Sequence, residues 1–372
     1  MRRTGVANLP LHPGKAPPWL FARMVKLSKG ITDVLLAEYG PEEVLRRLSD
    51  PFWFQAFSCV LGFDWHSSGC STVTCGALKE ALDPGMGIAI AGGKGRASRQ
   101  TLVEIQKLAD TYNLSTKSCD RLRYCSRMAA KVDSAAVQDG HSLYHHVFLF
   151  TEQGSWAVVQ QGMNPETQYA RRYHWLSEDL DCFVREPHNA IVGEDHQPVV
   201  LDMTARESAA AQKVAVDLVN DHPSHLLHDW SQLAKQEPQR TLDDWQSMGA
   251  SPSSSLPVLS MPRTVNWKRI REIYDVHPKD YEELLSLKGV GPSTVRALAL
   301  ISDLIYGEPP SWDDPIRFSF TVGGKDGVPY PVDRTAMDES TALIRQGIEQ
   351  ARLGDREKLH ALRRLRAFLP SS

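Results

Sequence analysis

The 372-residue chain has no Cys-x-x-Cys pair, no Gly-x-x-x-x-Gly-Lys-Ser/Thr string, and no apolar run near the about 20 residues that cross a bilayer. Each absence removes a class. The last excludes a membrane-spanning helix, and the second disfavours nucleotide hydrolysis on a phosphate-binding loop. The six cysteines, at positions 59, 70, 75, 119, 125 and 182, follow no secretory hydrophobic segment. Reduced thiols in a cytoplasm are therefore expected, and a disulfide framework is not. Cys70 and Cys75 have no second Cys/His pair at ligand spacing beside them, which argues against structural zinc. Cys70, close to His66, leaves thiol nucleophile chemistry open next to the commoner inert thiol. An excess of one charge is missing too: 42 Lys and Arg against 45 Asp and Glu give a net charge of -3. Any surface for a polyanion must be local.

With 42% hydrophobic residues the chain is long enough for two or more domains and a sizeable core. An irregular "LPLHPGKAPPW" gives way to apolar positions three and four apart, a packing helix within residues 1 to 50. From 52 to 135 short apolar runs alternate with helices. "GIAIAGG" reads as a buried strand, and Thr101 with Glu104 as the capping box of the next helix. "YHHVFLF" and "SWAVVQQ", joined by "TEQG", read as a β-hairpin in which Phe150 faces Ser155, His145 faces Gln160 and Tyr144 faces Gln161. His145 and His146 point to opposite faces. Thr204 with Glu207 reads as a second capping box, for a helix from about 204 to 220. The expected class is α+β. A mixed domain with the central hairpin and the catalytic candidates covers 1 to 230, and a Pro/Ser-rich linker covers 231 to 262. A helix-hairpin-helix covers 263 to 310, and a loop-rich segment with a basic C-terminal helix covers 311 to 372, so the C-terminal region is mainly helical.

"LLSLKGVGPSTVRALALISDLIYG", residues 284 to 307, is two helical stretches pinched around Gly289 and Gly291. Pro292 has no amide hydrogen to lose at a helix start, and glycines without Cβ atoms let an anion approach the first-turn N–H groups. Lys288, Ser293, Thr294 and Arg296 add donors and charge. The plain alternative is a tight turn between two helices. The whole string resembles the helix-hairpin-helix motif of DNA repair and replication proteins. That resemblance implies contact with the DNA backbone without base reading.

Several polar constellations remain. Asp64 and His66 share a face if extended and suit a divalent cation; a capped loop is the structural alternative. In "GGKGRASRQT", Lys94, Arg96 and Arg99 suggest a phosphate cradle or a solvated basic turn. Gln160, Gln161, Asn164, Arg171, Arg172 and His174 gather beyond the hairpin with His145, where buried amides need partners or a ligand. The succession His146, Asn164, His174 differs from the ββα-metal nucleases in spacing and in lacking the helix. Lys325 and Asp326 form a charged turn, with Lys325 a further phosphate candidate. The basic tail of Arg345, Arg352, Arg363, Arg364 and Arg366 either extends a phosphate-binding face or is a solvated helix surface.

The strings "DPFWFQAFSCVLGFDWHSSG", "GIAIAGGKG", "VVQQGMN", "RRYHW", "LKGVGPSTVRALALISDLIYG" and "GGKDG" together resemble the domain of unknown function 763 family over almost the full length. The resemblance implies a prokaryotic protein with a C-terminal helix-hairpin-helix and brings no settled activity or catalytic residues. From the residues themselves, a sequence-neutral DNA module joined to a polar-rich domain leads to the expectation of a metal-dependent DNA nuclease in repair or recombination. Asp64 and His66 would hold Mg²⁺ or Mn²⁺, His145 or His174 would act as ligand or general base, and Arg171 or Arg172 would steady the phosphate. Gln160 and Gln161 complete the catalytic candidates. The alternatives are a non-enzymatic DNA-binding or scaffold protein, or an enzyme acting on RNA or a nucleotide. A homo-oligomer is compatible with either, and no membrane partner is expected.

Overall fold

The computed structural model describes residues 16–62, 69–193, 197–235, 260–316 and 334–368. Its strands are β1 (Ile88–Lys94), β2 (Val137–Gln138), β3 (Ser142–Thr151), β4 (Trp156–Met163), β5 (Ala170–Leu176), β6 (Ala190–Val192) and β7 (Leu201–Asp202). Five of them form one antiparallel sheet in the order β1-β3-β4-β5-β6, and β2 pairs with β7. The helices ahead of or between these strands are α1 (Pro18–Ser49), α2 (Pro51–Leu61), α3 (Gly69–Ala81), α4 (Thr101–Thr111) and α5 (Thr116–Lys131). After them come α6 (Ala209–Asn220), α7 (Pro223–Lys235), α8 (Trp267–Val276), α9 (Tyr281–Ser286), α10 (Pro292–Leu304), α11 (Arg334–Gln350) and α12 (Asp355–Phe368). The mixture of helices with a small antiparallel sheet is an α+β fold.

Both faces of the sheet are covered, which explains why its strands read as continuous apolar runs instead of alternating. On one face Ala91, Phe148, Phe150, Val158, Tyr173 and Trp175 join a core with residues of α4, α5, α6, α8, α9 and α10. We call this the α5 face. On the other, the α1 face, Ile88, Ile90, Val147, Leu149, Val159 and Leu176 pack with α1, α2, α3, α11 and α12. The glycine-pinched pair α9 and α10 thus shares its core with the sheet, and the last two helices bury Ile344, Ile348, Ala361 and Leu365 against α1 and α2. Among the described residues no helix is long and apolar enough to cross a membrane.

The hairpin is one residue out of the expected register. Phe150 pairs with Trp156, His146 with Gln160 and His145 with Gln161. The loop is Glu152, Gln153 and Gly154, closed by Thr151 N to Ser155 O at 2.9 Å, with Gly154 at φ 86°. A three-residue loop ending in a left-handed glycine is a standard hairpin solution that the four-residue count missed. Both expected capping boxes are also corrected. Thr101 Oγ1 donates to Ser98 O, while Glu104 accepts from Gly92 N at 2.7 Å. Thr204 Oγ1 donates to Asp202 Oδ1, and α6 starts only at Ala209, after a short 3-10 turn. In each case the threonine hydroxyl takes another local acceptor upstream, which leaves the helix-start amides to other arrangements. A cap that sequence reading passed over is Asp50, which accepts from Phe52 N and Trp53 N at the start of α2.

Candidate functional site

Alternation along the strands splits the expected catalytic cluster in two. Cross-strand partners share a face. The row Lys94, His145, Gln161, Arg172 crosses four neighbouring strands on the α1 face, and His174 lies two residues along β5 on the same side. His146, Gln160, Arg171 and Tyr173 point to the α5 face. Asp64, His66, Lys325 and Asp326 lie outside the described residues.

On the α5 face the polar side chains bind one another, with Arg171 Nε the exception among the strand residues. His146 Nδ1 donates to Gln160 Oε1 at 2.7 Å, which leaves Nε2 to accept from Ser126 Oγ at 2.9 Å. Gln160 Nε2 donates to Ala129 O and to Asp133, which also accepts from Trp175 Nε1 at 2.9 Å and from His188. Asp133 is fully buried and sits in a π-helical turn, Val132–Ala136, that widens the end of α5. Alongside, Arg171 binds Asp139 at 3.2 Å and makes a two-pronged bond with Asp314, one arm at 2.9 Å. Tyr173 donates to Asp139 at 2.6 Å. Asp314 belongs to a strap, residues 311–316, that returns from α10 and pairs through Ser311 and Trp312 with Val200 and Asp202. The Arg171 charge is therefore spent on two carboxylates, and Gln160 on internal partners. Satisfied networks of this kind lock packing.

The α1 face differs. Arg172 is fully buried, yet among the described residues its acceptors are neutral: His174 Nε2 at 2.8 Å, and Gln55 Oε1 at 3.3 Å and 3.4 Å. Its guanidinium lies 4.7 Å from the Phe54 ring centre. Burial pushes it down to about 10, the neighbouring Cys70, Cys75 and Cys59 thiols working in the opposite sense, so it stays a cation at neutral pH. His174 donates from Nδ1 to Leu48 O at 3.2 Å; burial and then the Arg172 charge hold it neutral. His145 is 1% exposed, and among the described residues neither ring nitrogen makes a well-formed hydrogen bond. Burial, then His146 and Lys94, press it down to about 3, with the Gly93 main chain pulling weakly in the opposite sense. Gln161 accepts from Ser71 in the first turn of α3 and donates to Tyr144 Oη. The burial of Cys75 raises its thiol to about 12, which makes it a poor nucleophile.

The basic turn after β1 is only partly what the sequence suggested. Lys94, Arg96 and Arg99 are exposed. Gly92, however, is a glycine for packing reasons, with φ 95° and the His146 carbonyl directly against it. Lys94 Nζ lies 5.8 Å from the Tyr144 ring centre. Among the described residues no group of three or more His, Cys, Asp or Glu side chains is placed to hold a metal ion.

The turn between α9 and α10 presents Lys288 and Ser293 to solvent, whereas Thr294 is buried and Arg296 half-buried with Nε unpaired. Gly289 needs its positive φ of 94°, and Arg269 packs over it at 2.9 Å from where a Cβ would stand. The turn is fastened to α5 by Lys131 Nζ donating to Leu287 O, and to β2 by Gln138 Nε2 donating to Pro292 O at 2.9 Å.

Asp133, Asp139, His188 and Asp314 were missed as partners because each lies far along the chain from the strand residue it serves. Ser71 carried one usable signal, its place at a helix start. No curated protein and no solved structure matches the chain. A family model described as protein of unknown function (DUF763) matches residues 5–332, and the chain belongs to that family.

Proposed function

We propose that this chain is a DNA-binding protein that grips the backbone at the turn between α9 and α10. The observation that carries the reading is Gly291. Its backbone is extended, φ -128° and ψ -174°, which any residue adopts, and a Cβ there would meet nothing within 4 Å. Neither conformation nor packing asks for glycine. What glycine does supply is an unobstructed approach to the first-turn amides of α10, whose N1 residue, Pro292, has no N–H to leave unsatisfied. A phosphate oxygen suits such an end, and the exposed Lys288 and Ser293 flank it. Gly291→Val is expected to leave the unfolding midpoint unchanged and to weaken binding of a labelled duplex roughly tenfold at low salt, the loss of about one good contact. Equal affinity of variant and wild type refutes the reading.

A second reading, metal-dependent phosphodiester cleavage, is favoured by chain connectivity. Gln55 of α2 bonds Arg172 and Ser71 of α3 bonds Gln161, and Asp64 and His66 fall in the sequence between these two helices. In this reading Asp64 and His66 hold Mg²⁺ or Mn²⁺. Incubation with single-stranded, double-stranded and branched DNA in Mg²⁺, Mn²⁺ or EDTA is expected to give metal-dependent products that Asp64→Ala abolishes. Binding without product in any metal leaves a non-enzymatic DNA-binding protein, and preference for RNA or a mononucleotide moves the chain to another class.

A further inference from the structure

Among the described residues, the row on the α1 face holds two buried groups that lack a strong partner: Arg172, bonded only to neutral acceptors with no carboxylate, and His145, neither of whose ring nitrogens makes a well-formed hydrogen bond. Only Gln161 stands between them, and neighbouring strands lie about 5 Å apart, so both flank one spot on the sheet. Ser71 brings the first turn of α3, a 13-residue helix, onto the same amide. The positive end of that helix adds to the charge of Arg172. The row reaches the surface at its other end, where exposed Lys94 pairs with His145 at the edge strand β1.

We propose that this row is a binding site for a phosphate-class oxyanion, entering at the Lys94 edge and held between His145, Gln161 and Arg172. The chemistry fits each member. A neutral imidazole donates one N–H, the guanidinium supplies N–H groups in a planar fork suited to a tetrahedral oxyanion, and the exposed ammonium draws the anion in. A buried cation with only neutral acceptors and a buried imidazole with no well-formed hydrogen bond, as both stand among the described residues, weaken the empty protein, the signature of groups kept for a ligand. The neighbouring thiols offer a rival answer, an internal Cys70 thiolate as the counter-ion of Arg172. That answer leaves His145 unexplained. The inference goes beyond DNA binding at Gly291 and does not depend on it.

The experiment is thermal unfolding of the full chain in inorganic phosphate against chloride at matched ionic strength, with a dinucleoside phosphodiester as a second probe. Phosphate well above its dissociation constant is expected to raise the wild-type midpoint by about 5 °C. His145→Phe and Arg172→Met are expected to lose that rise, and Arg172→Met to melt no lower than wild type in chloride. The general salting effect of phosphate is the rise that remains in both variants. A rise with phosphate alone assigns a free or terminal phosphate, and a rise with the diester assigns a backbone phosphate. No rise in wild type with either probe, or the full rise kept in both variants, overturns the proposal, as does a lower melting Arg172→Met whose wild-type parent shows a thiolate absorbance that Cys70→Ser removes. If Arg172→Met does not fold, the wild type and His145→Phe decide alone. Failure here leaves the Gly291→Val result untouched.

Discussion

Replacing Asp139 with alanine is expected to destabilise the chain by about 3–5 kcal/mol, the loss seen when one partner of a buried ion pair is removed. Asp139 is 5% exposed. Its Oδ2 accepts from Tyr173 at 2.6 Å and from Arg171 at 3.2 Å, and its Oδ1 accepts from His141 N at 2.9 Å. Alanine would leave the Tyr173 hydroxyl without this acceptor in a fully buried position, and Arg171 dependent on Asp314 alone. The strap over residues 311–316 would then balance the Arg171 charge by itself, so its hydrogen exchange should rise with the loss of stability. Urea denaturation checks the first effect; a change below about 1 kcal/mol would show that Asp314 suffices, against the larger loss expected of a buried pair.

The same carboxyl sets a pH dependence. Burial alone pushes it up, but the Arg171 guanidinium, then the hydrogen bonds from His141 and Tyr173, hold it well below the usual carboxylate range. A depressed folded-state value means that its stabilisation is fully present above the unfolded value, about 3.9, and is lost as pH falls through the folded one. Wild type is thus expected to lose stability more steeply than Asp139→Asn on acidification below about pH 4, since the asparagine has no proton to bind there. Parallel acid curves for the two proteins would remove the assignment.

What the sequence made legible follows from the range of the forces involved. Local signals placed the hairpin, the glycine-pinched helices and the opposite orientation of His145 and His146. Alternation also implies that Gln160 parts from Gln161 and Arg171 from Arg172, so one half of the polar cluster cannot face the other. The register slipped by one residue because Thr151 reads as a loop residue, whereas it pairs with Ser155 around a three-residue loop ending in left-handed Gly154. Nothing local told which of the two rows would be satisfied. Asp133 lies 27 positions before Gln160, and Asp314 lies 143 after Arg171. Partners at such separations are chosen by the packing of whole layers. That His145 makes no well-formed hydrogen bond among the described residues is likewise visible only in the folded chain.

Gly92→Ala is expected to have the largest effect of any single methyl group added to the sheet, more than about 4 kcal/mol. An added Cβ would stand 2.2 Å from the His146 carbonyl oxygen and 2.6 Å from Thr101 Oγ1, and Gly92 has φ 95°. The obstructing oxygen is main chain in the paired strand, so relief requires β1 to leave β3. Doing so also breaks the bond from Gly92 N to Glu104, and from Lys79 to Gly92 O, both 2.7 Å. Gly95 is the control: its φ of 61° is also left-handed, but an added Cβ meets nothing within 4 Å, and Gly95→Ala should cost only about 1 kcal/mol. Denaturation midpoints of the two variants decide between two uses of glycine in one turn. A large loss at Gly92 and a small one at Gly95 mean that the first serves the sheet and leaves the exposed side chains of the turn, Lys94, Arg96 and Arg99, as the candidates for an anion. Should Gly92→Ala instead fold with wild-type stability and lose the response to phosphate, the glycine would belong to the ligand, and the close approach of β1 to β3 would yield to the added methyl.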